Sequence, residues 1–424
     1  MSISFPPSFP STAAAIEESR WPDVVQVPDS PVRAAIAERL FARAVRGLPI
    51  RVSTADGRRL GAGGAHDPGL HLVRPADFHQ RLAAHGLIGF GESYMAGDWT
   101  SDDLAGVLTV LAGRMATLIP PLLQRLRGAV VHARPAGHDN TVAGARRNIH
   151  RHYDLSNELF ELFLDESLTY SSALFAADPR HADEPLRSAQ HRKIDRLLDL
   201  AGVGAGSSVL EIGTGWGELS IRAAARGARV STVTISTEQA ELAAKRIAEA
   251  GLADQVEVRL ADYRQVTGSF DAVVSVEMIE AVGANHWHEY FAAIERLLAP
   301  GGRAGLQAIT MPHDRMIASL NTYTWILKYI FPGGQLPSVE SVRQSASVAG
   351  LIITEEFAFG LHYAETLRRW RAAFEAAGEQ VQALSPDFDE VFCRMWSLYL
   401  AYSEAGFRSR YLDVVQFGLT RSAR

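Results

Sequence analysis

From residue 146 onward, short apolar runs alternate with stretches whose apolar residues have helical spacing. Five of these runs predict strands, namely SSVLEIG, ARVSTVTIS, VEVRLADY, FDAVVSVEM and RAGLQAITM. The stretches between them predict helices: ELSIRAAARG, EQAELAAKRIAEAG, which Gly251 ends, and HEYFAAIERLLAPGG. Strands that alternate with helices of this length predict an α/β fold with a doubly wound, mostly parallel sheet. Ligands of such sheets bind beyond the carboxyl ends of the strands.

The N-terminal third has a different pattern. Residues 1–30 are rich in Pro, Ser and Ala and predict an irregular segment. LPIRVSTADGRRLGAG predicts two extended stretches around a hairpin-like turn at Asp56-Gly57, and helical spacing follows from Pro75 to about Arg127. We therefore predict a smaller, mainly helical domain over 31–131, a Pro- and Gly-containing linker over 132–145 and the α/β domain over 146–424.

Composition narrows the class of protein. The chain has 424 residues, 47% hydrophobic and 21% charged, with a net charge of −6, which favours a globular protein and gives no reason to expect nucleic acid binding. Cys393 is the single cysteine, so we predict no internal disulfide and no metal site, as is typical of a reducing cytoplasm. The first residues lack the pattern of a secretory signal, and no apolar run approaches the roughly 18–20 residues of a membrane span.

The strongest local motif is EIGTGWG, residues 211–217, which leaves a predicted buried strand and enters a helix. Its glycines allow the backbone to turn sharply and to approach a ligand closely. Dinucleotide-binding enzymes use a similar turn, but the end of the second strand, TISTEQ, lacks the acidic residue that NAD ribose recognition needs. The G-x-G-x-G spacing after Glu211 therefore favours S-adenosylmethionine (SAM).

A second candidate contact follows the third strand of the α/β domain. Asp262 and Tyr263 end that strand, where a carboxylate can accept a hydrogen bond from an adenine amine and an aromatic ring can cover the base. Taken alone, the pair fits a surface strand end equally well. Its position in order after Glu211 and Gln239 favours the binding function.

The motifs resemble the cyclopropane fatty acid synthases and mycolic acid methyltransferases. The matching stretches are HYDLSNELFELFLDESLTYSS, VLEIGTGWGELS, VTISTEQ, DYR, SVEMIEAVG, KYIFPGGQLPS, HYAETLRRW and YLAYSEAGFRSRYLDVVQF, in family order. GLIGFGESYMAGDW also resembles the N-terminal domain of the longer, phospholipid-acting members. RRNIHRHYDLSN, SVEMIEAVG, LQAITMPH and LAYSEAGFRS resemble the subfamily of the tuberculostearic (10-methylstearic) acid pathway. The resemblance implies a seven-stranded sheet of the class I SAM methyltransferase type.

The resemblance also implies site residues. The expected SAM contacts, with the acidic residue of the glycine motif, are Tyr153, Tyr170, Ser171, Glu211, Gly213, Gly215, Thr234, Gln239, Asp262 and Tyr263. The expected catalytic cluster contains Glu280, Tyr363, Gln307 and Ser172. In the cyclopropane synthases this cluster holds a bicarbonate ion with the help of a Cys and a His. Ser172 and Gln307 replace those two residues here, which argues against the bicarbonate site, although Ser and Gln can still donate hydrogen bonds to an anion.

The chemistry of alkene methylation explains these residue types. Methyl transfer leaves a carbocation on the acyl chain, so the site needs aromatic faces and no water. Candidate aromatic residues are Tyr153, Tyr170, Trp325, Tyr329, Phe331 and Tyr363, of which Trp325 and Phe331 fit plain core packing equally well. We predict Glu280 as the base that removes a proton from the cation, with Glu277 as its main rival. A weaker base gives time for a hydride shift, so the substitutions at Ser172 and Gln307 favour a methylene over a cyclopropane product.

The expected substrate is an unsaturated, preferably oleoyl, phospholipid acyl chain. Seven arginines and one acidic residue lie from Arg114 to Arg151, a stretch that fits either contact with anionic headgroups or an ordinary solvated linker. We therefore expect a cytoplasmic protein that contacts the inner face of the membrane peripherally, with a homodimer left open. The pathway resemblance implies a separate reductase for the methylene product.

Three other functions compete with this interpretation. A cyclopropane synthase that tolerates Gln307 would make the ring from the same substrate. A lipid-binding protein with a decayed methyltransferase fold is disfavoured by the intact Gly213 turn, Gln239 and Glu280. A nicotinamide-dependent oxidoreductase is disfavoured by the missing carboxylate after the second strand.

Overall fold

The structure is a computed structural model that describes residues 16–114 and 156–422. The predicted linker, most of the basic stretch from Arg114 to Arg151, and Tyr153 lie outside the described residues. The first described part contains helices and strands in the order α1 (Pro22–Val25), α2 (Pro31–Val45), β1 (Arg51–Thr54), β2 (Arg59–Leu60), β3 (Gly69–Leu72), α3 (Pro75–His85), α4 (Leu87–Met95), β4 (Trp99–Ser101) and α5 (Leu104–Gly113).

The second described part begins with the elements that build most of the large sheet. They are α6 (Asn157–Glu161), α7 (Leu186–Leu200), β5 (Ser208–Ile212), α8 (Glu218–Ala225), β6 (Arg229–Thr234), α9 (Thr237–Glu249), β7 (Val256–Leu260), β8 (Phe270–Val276), α10 (Ile279–Val282), α11 (Trp287–Leu297) and β9 (Leu298–Thr310). Single turns of 3-10 helix lie at Pro179–His181, Tyr263–Gln265 and Ala284–His286.

The remaining elements complete the sheet and add C-terminal helices. They are α12 (His313–Ser319), α13 (Trp325–Tyr329), α14 (Val339–Val348), β10 (Leu351–Ala358), α15 (Gly360–Ala376), α16 (Gly378–Leu384), α17 (Glu390–Arg408) and β11 (Asp413–Arg421).

The seven-stranded sheet has the order β10-β11-β9-β8-β5-β6-β7. Strands β9, β8, β5, β6 and β7 pair in parallel, and β11 is antiparallel to both β9 and β10. This arrangement confirms the predicted doubly wound, mostly parallel sheet. Because parallel strands need crossover helices, the helices α8 and α9 follow β5 and β6 directly in the chain.

The two faces of this sheet are both buried. Successive side chains of a strand point to opposite faces, so Val209 packs with α7, α8 and α9, whereas its neighbour Leu210 packs with α11 and α14. Burial on both faces explains why β5 and β8 are mostly apolar and show no strict alternation of apolar with polar residues. Parallel pairing brings the carboxyl ends of β5, β6, β7 and β8 to one edge of the sheet.

The contacts divide the chain into two compact units. The first comprises the described residues 16–114 with 323–330 and 367–411, and the second comprises 156–322 with 331–366 and 412–422. The predicted domain limits assign 146–424 to one domain, whereas two of its segments group with the N-terminal unit. Such grouping of distant segments leaves no local pattern in the sequence.

The first unit contains a small sheet of order β2-β1-β3-β4 among its helices. Antiparallel pairing of β1 with β2 confirms the predicted hairpin at Asp56-Gly57, and helices α3, α4 and α5 confirm the helical spacing after Pro75. Strands β3 and β4 were not predicted, because stretches of four and three residues are too short to show an alternation. Within the described ranges, no helix is both long and apolar enough to traverse a bilayer.

Candidate active site

A pocket opens in the second unit where β5, β6, β7 and β8 end. Its wall includes most of the predicted SAM contacts, namely Tyr170, Ser171, Glu211, Gly213, Gly215, Thr234, Gln239, Asp262 and Tyr263. Only Tyr153 among the predicted contacts lies outside the described residues. The topology therefore brings together residues that are up to 93 positions apart in the sequence, from Tyr170 to Tyr263.

The glycine turn between β5 and α8 requires residues without a Cβ. Gly213 has φ +96°, and a Cβ there would lie 2.5 Å from Cγ of Met278. Gly215 has φ +50° with open space where its Cβ would point, on the side of the pocket. The backbone thus leaves a cradle in which a ligand can approach the main chain directly.

Two polar residues fix the ends of the neighbouring strands. Glu211 is buried at the end of β5 and accepts a hydrogen bond from the hydroxyl of Ser220, and burial raises the pKa of its carboxyl to about 7. At the end of β6, the hydroxyl of Thr234 donates to the side-chain oxygen of Gln239 over 2.9 Å. This bond orients the amide of Gln239 at the pocket wall.

Asp262 and Tyr263 form the third part of the wall. The carboxylate of Asp262 is buried and accepts two hydrogen bonds from the guanidinium of Arg264, at 2.9 and 2.7 Å. The ring of Tyr263 packs edge-on against Tyr290 at 5.5 Å, and its buried hydroxyl has no hydrogen-bond partner in the described part of the chain. Both residues fit the predicted role at an adenine, a carboxylate acceptor beside an aromatic face.

Two lining residues were missed by the sequence analysis. Lys193 of α7 is 1% exposed, and its ammonium donates to the hydroxyl of Ser171 over 2.6 Å. Burial lowers the pKa of Lys193 to about 8. Trp216, inside the glycine motif, packs on Phe160 at 4.8 Å and donates to Asn157 over 2.8 Å. The motif itself contained the signal for Trp216, whereas nothing in the sequence marked Lys193 among its basic neighbours.

The glycine cradle, the strand-end acceptors and the aromatic wall together fit SAM. Gln239 and Asp262 would hold its polar adenosine groups, and Ser171 and Lys193 would face its charged amino acid part. The hydroxyl of Tyr263, which has no partner among the described residues, is a further hydrogen-bond donor at this wall.

A carboxylate, Glu277, lies at the end of the same pocket after β8. Its Oε1 accepts hydrogen bonds from the backbone N–H of Ser172 at 3.0 Å and from the amide of Gln307 at 2.7 Å. Its Oε2 accepts from the hydroxyl of Tyr363 at 2.6 Å. Three of the four residues of the predicted cluster thus meet, but they surround Glu277 and not the predicted Glu280. The hydroxyl of Ser172 takes no part, because it donates to the carbonyl of Ala173.

The backbone of Glu277 is held in an unusual conformation. Its φ is +51°, in a region that residues other than Gly, Asn and Asp rarely adopt. Its N–H donates to the carbonyl of Gln307 over 2.7 Å, which anchors the turn to β9. Strain of this kind persists only where surrounding contacts impose it, and it occurs often at functional sites.

A buried relay supports the amide of Gln307. Gln416 of β11 donates to the side-chain oxygen of Gln307 over 3.0 Å, and Arg196 donates to the oxygen of Gln416 over 2.7 Å. This chain of bonds leaves the nitrogen of the Gln307 amide pointing at Glu277. Position 307 therefore acts as a fixed donor.

Glu280, the predicted base, lies in α10 beside this cluster. Its Oε1 accepts from the backbone N–H of Ile309 at 2.5 Å, and its buried Oε2 has no hydrogen-bond partner among the described residues. Burial, reinforced by the negative charge of Glu277, raises the pKa of Glu280 to about 8. The pKa of Glu277 is also raised by burial, but its three donors and the charge of Lys193 oppose that shift.

The cluster does not fit the bicarbonate ion that the resemblance implies. The donors that would hold such an ion, at Ser172, Gln307 and Tyr363, are all engaged by the carboxylate of Glu277. The side chain of Glu277 thus fills the position that a small anion would need.

Two of the predicted aromatic residues belong to the first unit. Trp325 is 6% exposed and contacts the sulfur of Met95 at 3.3 Å, and Tyr329 donates to Glu92 over 2.9 Å. For Trp325 the structure therefore favours core packing over a role in catalysis. Tyr170 lines the pocket, and Tyr363 binds the carboxylate of Glu277.

Comparisons with known proteins cover most of the chain. A family model described as mycolic acid cyclopropane synthetase matches residues 141–417. The chain is 54% identical to the tuberculostearic acid methyltransferase UfaA1 of Mycobacterium tuberculosis over 416 residues, 96% of this chain and 97% of the relative. It is 34% identical to the cyclopropane-fatty-acyl-phospholipid synthase of Escherichia coli over 354 residues, 82% of this chain and 87% of the relative.

Solved structures agree with the fold. The cyclopropane synthase MmaA2 from Mycobacterium tuberculosis matches with a TM-score of 0.59 and 32% identity, over 65% of this chain and 97% of its own. The mycolic acid cyclopropane synthase CmaA1, complexed with SAH and CTAB, matches with a TM-score of 0.59 and 33% identity over the same shares. These matches confirm the predicted class I methyltransferase fold.

Proposed function

Since this chain belongs to the mycolic acid cyclopropane synthetase family and is a SAM-dependent methyltransferase, we propose that it methylates the double bond of an unsaturated phospholipid acyl chain. The expected substrate is an oleoyl chain, and the expected product carries a 10-methylene group, the precursor of 10-methyl branched tuberculostearic acid. Similarity to the tuberculostearic acid methyltransferase over nearly the whole chain supports this choice.

The pocket suits the demands of the reaction. When bound, SAM supplies an electrophilic methyl group. An isolated alkene is a poor nucleophile, so the protein must hold it in position and exclude water from the cation that forms on the acyl chain. Tyr170, Trp216 and Tyr263 contribute aromatic faces to the wall, and such faces stabilise a cation without bonding to it.

We propose the carboxylate of Glu277 as the proton acceptor. The observation that carries this assignment is the convergence of Ser172 N–H, Gln307 and Tyr363 on its two oxygens. These donors favour the ionised form, and a carboxylate has further lone pairs with which to accept a proton. Glu277 also lines the pocket, so it faces the space in which the acyl chain would react.

Glu280 then acts through Glu277. With a pKa of about 8 it is protonated at neutral pH, so it has no charge with which to accept a proton. The negative charge of Glu277 opposes ionisation of Glu280, so the pair carries mostly one negative charge. That charge lies mostly on Glu277, whose hydrogen bonds stabilise it. This assignment departs from the expectation that Glu280 is the base, and it keeps Glu280 as a positioning residue.

The same cluster bears on the product. The three donors and the charge of Lys193 oppose the rise that burial gives the pKa of Glu277, so they keep it a weaker base than burial alone would make it and slow deprotonation of the first cation. A 1,2-hydride shift then intervenes, and proton loss from the transferred methyl carbon gives an exocyclic methylene. Immediate loss of that proton would close a cyclopropane, which is the alternative product from the same substrate. Conversion of the methylene group to a methyl branch needs a separate reductase that supplies a hydride.

The test is to incubate the enzyme with SAM and dioleoyl phosphatidylglycerol vesicles and to record proton NMR spectra of the released fatty acids. Methylene and ring isomers have the same mass, but their protons resonate far apart. Exocyclic =CH2 signals are expected. Cyclopropane signals alone would show the alternative activity, and the absence of both product and calorimetric SAM binding would indicate a lipid-binding protein instead.

A further inference from the structure

Helix α2, in the first unit, exposes a row of aliphatic side chains. Val32, Ile36 and Leu40 are 74%, 53% and 41% exposed and recur every fourth residue. Residues with this spacing lie on one side of a helix. A contiguous apolar row on a surface usually marks a site of interaction.

The opposite side of α2 holds the helix in the unit. Val45 is 1% exposed, and the ring of Phe41 packs edge-on against Phe78 at 5.0 Å. The inner side of α2 thus packs in the unit, and among the described residues the outer aliphatic row takes no part in that packing. It stays available for a partner.

Arginines surround the aliphatic row. At about 100° per residue, Arg33, Arg39, Arg43 and Arg46 all project within about 80° of Ile36. All four are exposed, and across 16–114 and 156–422 no ion pair involves any of them. The single acidic residue of the helix, Glu38, projects away from the row and pairs with Arg58 at 3.1 Å. The outer side of α2 is thus cationic on a chain whose net charge is −6.

We propose that this outer side of α2 docks on the surface of an anionic phospholipid membrane. Aliphatic side chains bordered by arginines match a bilayer interface, where the apolar atoms enter between the headgroups and the guanidinium groups meet phosphates. The inference rests on the proposed function, because that membrane presents the acyl chains on which the enzyme acts.

The first experiment measures co-sedimentation of the full chain with vesicles of phosphatidylglycerol and phosphatidylcholine. The double variant Val32→Ser/Ile36→Ser should lower the partition coefficient about tenfold. Val348→Ser/Ile352→Ser is a control for the loss of exposed aliphatic side chains, since those residues, at the end of α14 and in β10, are 67% and 51% exposed and the arginine near them, Arg343, is paired with Glu356. The control should bind as the wild type does. Equal binding by all three proteins, or equal loss in both variants, would overturn the proposal.

The second experiment separates charge from apolar contact. Arg39→Gln/Arg43→Gln/Arg46→Gln should weaken binding to the anionic vesicles about 100-fold at low salt, with little change on pure phosphatidylcholine. Loss on both kinds of vesicle alike would contradict the role of the headgroup charge. Sedimentation velocity tests the alternative occupant, a second copy of this chain. If the wild type is a dimer and Val32→Ser/Ile36→Ser is a monomer, this face is a subunit interface and the docking proposal is wrong.

Failure of the docking proposal and failure of the proposed function give different results. Methyl transfer to oleoyl lipid dispersed in detergent micelles does not require a bilayer. The α2 variants should retain that transfer while losing vesicle binding. If the wild type itself transfers no methyl group in micelles, the proposed function fails while the vesicle measurements still test α2.

Discussion

The hydroxyl of Tyr363 donates a 2.6 Å hydrogen bond to Oε2 of Glu277, and so joins α15 to the turn after β8 across 86 residues of sequence. The other oxygen of Glu277 is held by Gln307 and by the backbone of Ser172. The carboxylate therefore has one orientation, and each of its bonds can be removed separately. This makes the assignment of the base testable.

Tyr363→Phe should shift the pH dependence of the reaction. A hydrogen bond donated to the ionised form lowers the pKa of a carboxyl, so its loss raises the pKa of Glu277. The acidic limb of the kcat/KM profile should then move to higher pH by about one unit, with most activity retained on the alkaline side. Tyr402→Phe, at an exposed tyrosine of α17, should leave the profile unchanged. An unshifted limb in Tyr363→Phe would separate this bond from catalysis.

Glu277→Gln should reduce turnover by roughly 10²–10⁴, the usual contribution of a positioned base, because the amide keeps the shape but cannot accept the proton. Glu280→Gln should lose much less at neutral pH, since the amide resembles the protonated carboxyl that a pKa of about 8 implies. Calorimetric SAM titration should show similar affinity in both variants.

The reverse order of losses would restore Glu280, the residue that the family resemblance favoured, as the base. Full activity in both variants would remove the carboxylate pair from the mechanism altogether. In either case the bond from Gln307 to Glu277 would have to be explained as structural support.

Much of the α/β unit could be predicted from the sequence, because its signals are local. Each of the strands β5 to β9 coincides with a short stretch rich in aliphatic residues, and the Gly213 turn follows β5 directly. The pairing of β11 between β9 and β10 has no such signal, since it places the last strand between two strands that lie well before it in the chain. The grouping of α17 with the N-terminal unit is equally non-local.

The choice between Glu277 and Glu280 shows where prediction from sequence stopped. Both residues stand in SVEMIEAVG, and spacing alone cannot show which carboxylate turns toward Gln307. The answer depends on the φ of +51° at Glu277, a conformation that local propensity does not predict for a glutamate. Lys193 was missed for a similar reason, since tertiary packing decides which basic residue of QHRKIDR is buried.

Gly215→Val should abolish SAM binding while leaving the fold largely intact. The valine side chain would project into the open space of the glycine cradle, where the ligand must approach the backbone. Gly251→Val is the control, because Gly251 also has positive φ and open space but ends α9 away from the pocket. It should cost about 1–2 kcal/mol of stability from backbone strain and keep SAM affinity. Unchanged affinity in folded Gly215→Val would contradict the location of the cofactor.

Glu277→Gly should be inactive and recover activity with added small carboxylates. The glycine adopts φ +51° without strain, and removal of the side chain frees the donors of Ser172, Gln307 and Tyr363 to hold an anion of similar shape. Formate or bicarbonate should then raise the rate by about tenfold or more, saturating with concentration. Glu277→Gln is the control, because its amide still fills the space and should not respond.

Formate and bicarbonate differ in size and basicity, so the ratio of ring to methylene product, read by NMR, should change between them if base strength sets the timing of proton loss. Rescue with an unchanged ratio would mean that the shape of the acyl site selects the product, and no rescue would mean that the three donors collapse once Glu277 is gone.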